Sequence, residues 1–332
     1  MQVVTYSNYG PPDVLRPSER PKPAPKPDQV LVRIHATTVT SGDYRARSLD
    51  LPRGFGLIGR LAFGLFRPRR AVLGTEYAGV VESVGANVTR FKSGDRVFAY
   101  PGAKFGGYAD YAVIGEEAAI AIAPKGFDLG EAAAISFGGG TALDFLRNKG
   151  GIKTGDRVLI IGASGGVGSA AVQIAKAFGA HVTGVASTPH LETVSALGAD
   201  AVLDYTRDDP AGVADGYDII LDTSGTATYA KYGTALRPNG RLLLVSADLW
   251  QLLGSLLARK QGGRKAIGGY APERAEDLRY LASLAEAGRF KPHIGRRFPF
   301  AQIVEAHAWF NNPGKAGNIV VLLDDSGKQS AA

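Results

Sequence analysis

Short runs in which apolar residues alternate with polar ones, or in which β-branched residues follow one another, fill the N-terminal part of the chain. "QVLVRIHATTV" (29–39), "YAGVVESVG" (77–85), "KSGDRVFA" (92–99) and "GGYADYAVI" (106–114) are punctuated by glycine or by a Ser-Gly-Asp turn, which predicts strands. Many short strands with turn signals between them predict a partly open β-barrel. The proline-rich "RPSERPKPAPKPDQV" (16–30) lies between strand patterns and reads as an extended connection rather than a polyproline ligand. From residue 124 the rhythm becomes strand, then helix. Strands are expected over 157–163, 181–187, 201–205, 217–225 and 240–247, with helices over 168–180 and 191–199. This alternation predicts an α/β fold with a doubly wound parallel sheet. An amphipathic helix follows Ala271 in "PERAEDLRYLASLAEAG", and "AGNIVVLL" (316–323) closes as one more strand.

At 332 residues two domains are the first expectation, and 45% hydrophobic residues supply a large core without covalent staples. No cysteine is present, which excludes disulfides, thiolate metal sites and a cysteine nucleophile. "MQVVTYSNYG" carries no secretory signal and "LWQLLGSLLA" is too short to span a bilayer, so the cytoplasm is the default compartment. The net charge is +7, with clusters in "RPRR" (67–70) and "RKQGGRK" (259–265). No nucleic-acid motif accompanies them, so a solvated surface is preferred to a nucleic-acid partner. A basic balance also suits a phosphate-bearing cofactor.

The run Gly162-Ala-Ser-Gly165-Gly166-Val-Gly168 joins an apolar strand to a helix. Such a turn bends tightly, lets backbone approach a pyrophosphate and offers it the helix N-terminus. The strict G-x-G-x-x-G pattern is absent, because Ser164 stands where a second glycine belongs. The next strand ends on Ser187. A carboxylate there would bind the ribose 2′-hydroxyl of NAD and repel the 2′-phosphate of NADP. Ser187 and Tyr205 can instead donate hydroxyls, Arg207 lies close by in sequence, and no carboxylate is expected to oppose a phosphate. NADPH is therefore expected over NADH. The plainer alternative makes Ser187 a neutral cap of the following helix and His190 a surface residue.

Taken together, "GTEYAGVVESVGANVTRFKSGDRVFA" (74–99), "GGYADYAV" (106–113), "GASGGVGSAAVQIAKAFGAHVTGVAS" (162–187) and "LGADAVLDYT" (197–206) resemble the medium-chain dehydrogenase/reductase superfamily, in its zinc-free quinone oxidoreductase branch. The resemblance implies a GroES-like catalytic domain over 1–123, a Rossmann NADP-binding domain over 124–270 and a return of 271–332 to the catalytic domain. It implies a homodimer or homotetramer. Thr40 and Thr75 stand where zinc-binding relatives have a cysteine and a histidine, so no metal is expected. It also implies that Thr141 lies near the nicotinamide, that Ser164, Gly165, Gly166 and Val167 line the pyrophosphate, and that Ser187 and Tyr205 meet the 2′-phosphate. Asn318 stands where relatives often carry a basic residue.

Reduction of a quinone or an activated C=C creates an oxyanion that needs a donor. Tyr44 is the expected donor, with Thr40 and Asp43 beside it; the alternative has Asp43 capping a helix over 43–49 and Tyr44 packed on the core. "FGLIGRLAFGLF" (55–66) and "LWQLLGSLLARK" (249–260) are apolar with cationic edges. A subunit contact or a lid buried on the core is preferred for them over segments that flank the cleft and admit a hydrophobic or amphiphilic acceptor at a membrane surface. The expected activity is NADPH-dependent, zinc-independent hydride transfer to a quinone, an enone or a related carbonyl compound. A zinc-free alcohol dehydrogenase, an enoyl-thioester reductase and an NADPH-binding sensor with little turnover are the alternatives.

Overall fold

In the computed structural model, which describes residues 1–212, 216–257 and 262–323, six short strands lie parallel in one sheet. In space they run Ala201–Asp204, His181–Ala186, Arg157–Ile161, Tyr217–Asp222, Leu236–Leu244, Lys265–Gly268. The chain therefore starts in the middle, builds outward to one edge, then returns and builds to the other. The central strands Arg157–Ile161 and Tyr217–Asp222 read as near-continuous apolar runs because both faces are covered. Val158 and Ile160 face one core with Val172, Ile174 and Ala175 of the helix Gly166–Ala177. Their neighbours Leu159 and Ile161 face another core with Tyr232 and Leu236. The edge strand Lys265–Gly268 falls in a stretch too glycine-rich and basic to show a strand pattern.

The second sheet has seven strands and centres on Gln29–Val39. Residues 29–33 pair with Tyr111–Gly115, residues 36–39 pair with Asn318–Leu322, and Tyr77–Val84 runs along the strand's other side. Register shifts at Leu31/Val32 and Ile34/Ala36 bend the strand, so that one chain segment serves three partners. Ile294–Pro299 joins in parallel beside Asn318–Leu322. Its sequence, "IGRRFP", is one-third charged and gave no strand signal. Within the proline-rich segment, Arg16–Glu19 pairs with Gln2–Thr5 and the residues after it connect without regular structure.

The helix Ser41–Ser48 departs from expectation. Its cap is Thr40 and Asp43 sits at the third helical position, in a reciprocal capping box, rather than Asp43 capping a helix over 43–49. The cause is that Thr40 follows directly on the strand and its hydroxyl reaches the Asp43 amide at 3.2 Å. Arg47 of this helix is buried and ties it to the helix Ile303–Trp309, donating from Nε to His307 Nδ1 at 3.2 Å and from its other arm to the Gly10 carbonyl. His307 is buried and its Nε2 lies 2.9 Å from the Tyr108 hydroxyl, which donates to the Thr38 carbonyl. The ring is thus neutral, with its proton on Nε2. Burial, then the adjacent guanidinium, push its pKa down to about 3.

An unfolded histidine binds its proton first as pH falls, so this cluster's stabilisation is present above pH ~6.5 and is lost between there and pH ~3. Urea unfolding of wild type and His307→Gln measures it. The stability gap between the two is expected to narrow by about 2–3 kcal/mol from pH ~7.5 to pH ~4.5, and an unchanged gap contradicts the assignment.

Candidate active site

The strand order reverses between Arg157–Ile161 and Tyr217–Asp222, and the crevice opens at their carboxyl ends. Gly162 bends the chain there at φ 79°, a conformation that strains any other residue. A Cβ on Gly168 would stand 2.0 Å from the Gly162 carbonyl oxygen, so the helix sits against the turn as only glycine permits. The helix begins at Gly166, and the first-turn amides of Gly166 and Val167 lack intrahelical acceptors. From the far end of the chain, the Gly317 amide donates to the Ser164 carbonyl at 2.7 Å. Asn318 is held by two bonds to the His293 carbonyl, from its amide at 2.7 Å and from Nδ2 at 3.0 Å.

Across the crevice lies a buried polar cluster. Asp43 accepts from the amides of Thr40, Gly74 and Thr75 at 3.0, 2.9 and 3.1 Å, and from the Thr40 hydroxyl at 2.7 Å. Thr75 Oγ1 lies 3.1 Å from Asp43 Oδ2 and 2.8 Å from Thr40 Oγ1, so its proton serves one or the other. Burial raises the Asp43 pKa and these donors oppose the rise. Next to it, buried Glu76 accepts from Thr38 Oγ1 at 2.6 Å and from the Phe137 amide, at the start of the helix Ser136–Leu143. Burial pushes Glu76 up to about 8.

Between these walls is a cleft of about 1010 Å³. Thr40, Tyr44, Thr141, Gly165, Gly166, Val167 and Asn318 all line it. Ser164 does not, its carbonyl being taken by Gly317. The Tyr44 ring stacks on Phe310 at 4.9 Å and its hydroxyl donates to Asp50 Oδ2 at 2.6 Å. Lys315 Nζ lies 3.7 Å from the other ring of this stack, Phe310. Among the described residues it forms no ion pair, and burial pushes its pKa down to about 8. Arg45 crosses the crevice to Ser246 Oγ at 3.3 Å, and burial lowers its pKa as well.

Ser187 and Tyr205 lie outside this cleft, together at the carboxyl ends of two adjoining parallel strands; the Tyr205 amide bonds the Ala186 carbonyl at 3.2 Å. The expectation that no carboxylate lies near Ser187 is corrected. Asp204 Oδ2 accepts from Thr188 Oγ1 at 2.5 Å. However, Asp204 is 5% exposed and its other oxygen is held by the Thr206 amide and hydroxyl. It ties two loops together instead of facing solvent.

Residues 26–125 match a family described as alcohol dehydrogenase GroES-like domain, and residues 197–321 match one described as zinc-binding dehydrogenase. A quinone oxidoreductase from Homo sapiens is 32% identical over 97% of this chain and 98% of its own length. The chain belongs to the medium-chain dehydrogenase/reductase superfamily, in its quinone oxidoreductase-like branch. Another member of the superfamily, an NADPH-dependent alkenal/one oxidoreductase from Arabidopsis thaliana, is 30% identical over 97% of this chain and 79% of its own length. The solved quinone oxidoreductase from Coxiella burnetii superposes with a TM-score of 0.82 at 27% identity, over 98% of this chain and 99% of that one. The seven-stranded sheet thus belongs to the GroES-like part, and the six-stranded sheet is the Rossmann-like part that binds a nicotinamide cofactor.

Members described as zinc-binding need ligands that this cleft does not offer. Thr40 and Thr75 present hydroxyls, which zinc binds poorly, and the one carboxylate between them is already saturated with donors. Among the described residues no three His, Cys, Asp or Glu side chains are grouped so as to hold a metal ion. A nicotinamide cofactor fits, because the turn's glycines leave room for its pyrophosphate and the first-turn amides are open. Sequence reasoning missed Arg45, Phe310 and Lys315. The only signal was that the segment before a final strand must run back past the cleft.

Replacing Asp43 tests the buried cluster. Asp43→Ala strands three buried amides and a hydroxyl, and is expected to cost about 3–5 kcal/mol in urea unfolding. A loss below about 1 kcal/mol contradicts the view that this carboxylate holds the wall of the cleft.

Proposed function

We propose that this chain is an NADPH-dependent, zinc-independent oxidoreductase that delivers hydride to a quinone, an enone or a related carbonyl compound. The observation that carries it is the adenosine end of the nucleotide site. Ser187 and Tyr205 stand side by side there; the carboxylate of Asp204 is buried and saturated, and Asp208, which is exposed, accepts from the Asp204 amide at 3.0 Å. Arg207 reaches toward the same place, 3.9 Å from Asp204 and largely exposed. A dianionic 2′-phosphate gains hydroxyl donors and a guanidinium, and the strand-end carboxylate of Asp204 is turned away from it. The names of the human and Arabidopsis relatives, a quinone oxidoreductase and an NADPH-dependent alkenal/one oxidoreductase, support the same acceptor classes and the same cofactor.

When bound, the nicotinamide supplies the hydride at C4. The chain's own residues supply position and a proton. The Gly166 and Val167 amides would hold the cofactor's pyrophosphate at the helix N-terminus. Thr141 and Phe137 form the floor of the cleft and Tyr44 and Phe310 a stacked wall, which suits a flat conjugated acceptor. The Tyr44 proton is committed to Asp50, so Tyr44 orients the acceptor and donates to the developing oxyanion only by giving up that bond. Lys315 has protons free of any acid and lies on the same wall, so it stabilises the oxyanion and protonates the product. Thr40 closes the cleft beneath it, with its hydroxyl proton held by Asp43.

Two measurements test this reading. In steady-state kinetics with a quinone and an enone panel, kcat/KM is expected to favour NADPH, and Ser187→Asp should cut the NADPH value by about tenfold or more while sparing NADH. Equal use of both cofactors by the unaltered chain contradicts it, as does tight cofactor binding with no oxidation by any acceptor. The second concerns Lys315, whose cationic form is needed. kcat/KM should be flat below pH ~8 and fall about tenfold per unit above it. Lys315→Met should lower the plateau and remove that alkaline limb; a limb that persists assigns the proton to another group.

A further inference from the structure

Seven of the eleven large apolar side chains exposed among the described residues come from two short segments: Leu57, Ile58, Leu61, Leu65 and Phe66 from one, Trp250 and Leu253 from the other. Phe66 is 84% exposed and Trp250 66%. The first segment forms the helix Gly56–Phe63 and the second the helix Leu249–Leu257. The two are joined, since the Leu249 amide donates to the Arg53 carbonyl at 3.0 Å and a Cβ on Gly54 would stand 2.6 Å from that of Leu249. Of the expected lid or subunit contact, the lid is not buried on the core, since these outer side chains are exposed. Gly59 packs on Leu51, and Phe63 turns inward to Phe105 with ring centroids 6.4 Å apart. That inward side leaves Leu57, Ile58 and Leu61 facing out. The loop after the helix is pinned by Tyr9, whose hydroxyl donates to the Gly64 carbonyl at 2.8 Å, and by the Arg69 amide on the Phe63 carbonyl at 2.8 Å. Leu65 and Phe66 are therefore held outward by structure, not left there by disorder. Residues 258–261, the basic end of the second segment, lie outside the described residues.

Charge selects what this face meets. Residues 51–72 contain five arginines (53, 60, 67, 69 and 70) and no aspartate or glutamate. All five arginines are exposed, and among the described residues none forms an ion pair. A second copy of the chain docked face to face would set this cationic rim against its own image, which like charges oppose. An anionic lipid surface offers both partners at once: headgroups for the guanidinium rim, and the acyl boundary for leucine, phenylalanine and an interfacial tryptophan. The same helices form the mouth of the cleft, since Phe55, Ile58, Ala62, Phe63 and Leu252 line it.

We propose that the face built by residues 57–66 and 249–253 docks the protein on an anionic membrane surface, with the cleft opening toward the lipid. An acceptor dissolved in the bilayer then enters the cleft past Ile58 and Leu252 without crossing water. Among the described residues no helix is long and apolar enough to cross a membrane, so the contact is peripheral and reversible. Only the acceptor's route rests on the function proposed above; the docking itself needs no turnover.

Co-sedimentation with vesicles of phosphatidylcholine and phosphatidylserine, mixed about two to one, tests it at low and high salt. Binding is expected at low salt, weakened about tenfold or more on pure phosphatidylcholine and by high salt. Leu57→Ser/Leu61→Ser/Phe66→Ser should lose about tenfold or more in vesicle affinity while keeping its melting temperature. Arg67→Gln/Arg69→Gln/Arg70→Gln should bind weakly and lose the salt dependence. The chain has two tryptophans, and vesicles should shift its emission to the blue, a shift absent in Trp250→Phe. Failure to sediment at low salt overturns the proposal. So does an apolar triple variant that binds as tightly as the parent, which leaves only diffuse charge attraction. A variant that instead converts a dimer to a monomer in equilibrium sedimentation, with no vesicle binding by either form, assigns the face to a second copy and overturns it as well. Since each readout is binding, an inactive enzyme that binds vesicles refutes the proposed reaction and leaves the docking intact.

Discussion

Asp43 is a carboxylate taken out of water with no cation beside it. Such a group persists only where enough dipoles converge on it, and here they come from two separate stretches of chain. Thr40 approaches from the end of the central strand, and Gly74 and Thr75 approach from the turn into the next one. Satisfying Asp43 therefore fixes where the helix Ser41–Ser48 starts and how it is rotated. Tyr44 and Arg45 then point into the cleft, and Arg47 points away from it to His307. The wall of the cleft and the anchor to the C-terminal helix are two sides of one short helix, and both inherit their positions from a single buried side chain.

A second constraint closes the cleft from the opposite direction. The glycine turn can receive a cofactor only if its helix lies hard against its strand, which the Gly168–Gly162 approach secures. The Gly317–Ser164 bond then stitches the last loop of the chain to that turn. Lys315 sits two residues before the stitch and Asn318 one after it. Residues from the far end of the chain thus line the cleft as a consequence of sheet completion.

The Rossmann-like half was legible because its strands are buried on both faces and its helices carry one apolar stripe, so periodicity alone separates them. The glycine turn and the serine ending the second strand were legible for a related reason: each depends on local residue chemistry at a known distance from a strand. What stayed hidden depends on tertiary placement. Asp43 reads as an ordinary capping residue until Gly74 and Thr75 arrive from thirty positions away. Asp204, inside an apolar strand pattern, shows no sign that Thr188 and Thr206 will quench it. Lys315 lies in a loop whose composition is that of any turn. Ile294–Pro299 escaped because it is an edge strand in which consecutive Gly295, Arg296 and Arg297 are all exposed, so no hydrophobic alternation marks it.

The central strand Gln29–Val39 has a further consequence. Its second half finds its partner in residues 319–322, almost the whole length of the chain later. During synthesis the Rossmann-like unit has all its strands available well before that partner emerges, whereas the N-terminal sheet must wait with Ala36–Val39 unpaired on one side. The order of birth is thus the reverse of the order of completion: the half translated first is the half finished last, and its open edge is the segment a nascent chain most needs to keep from pairing with a neighbour.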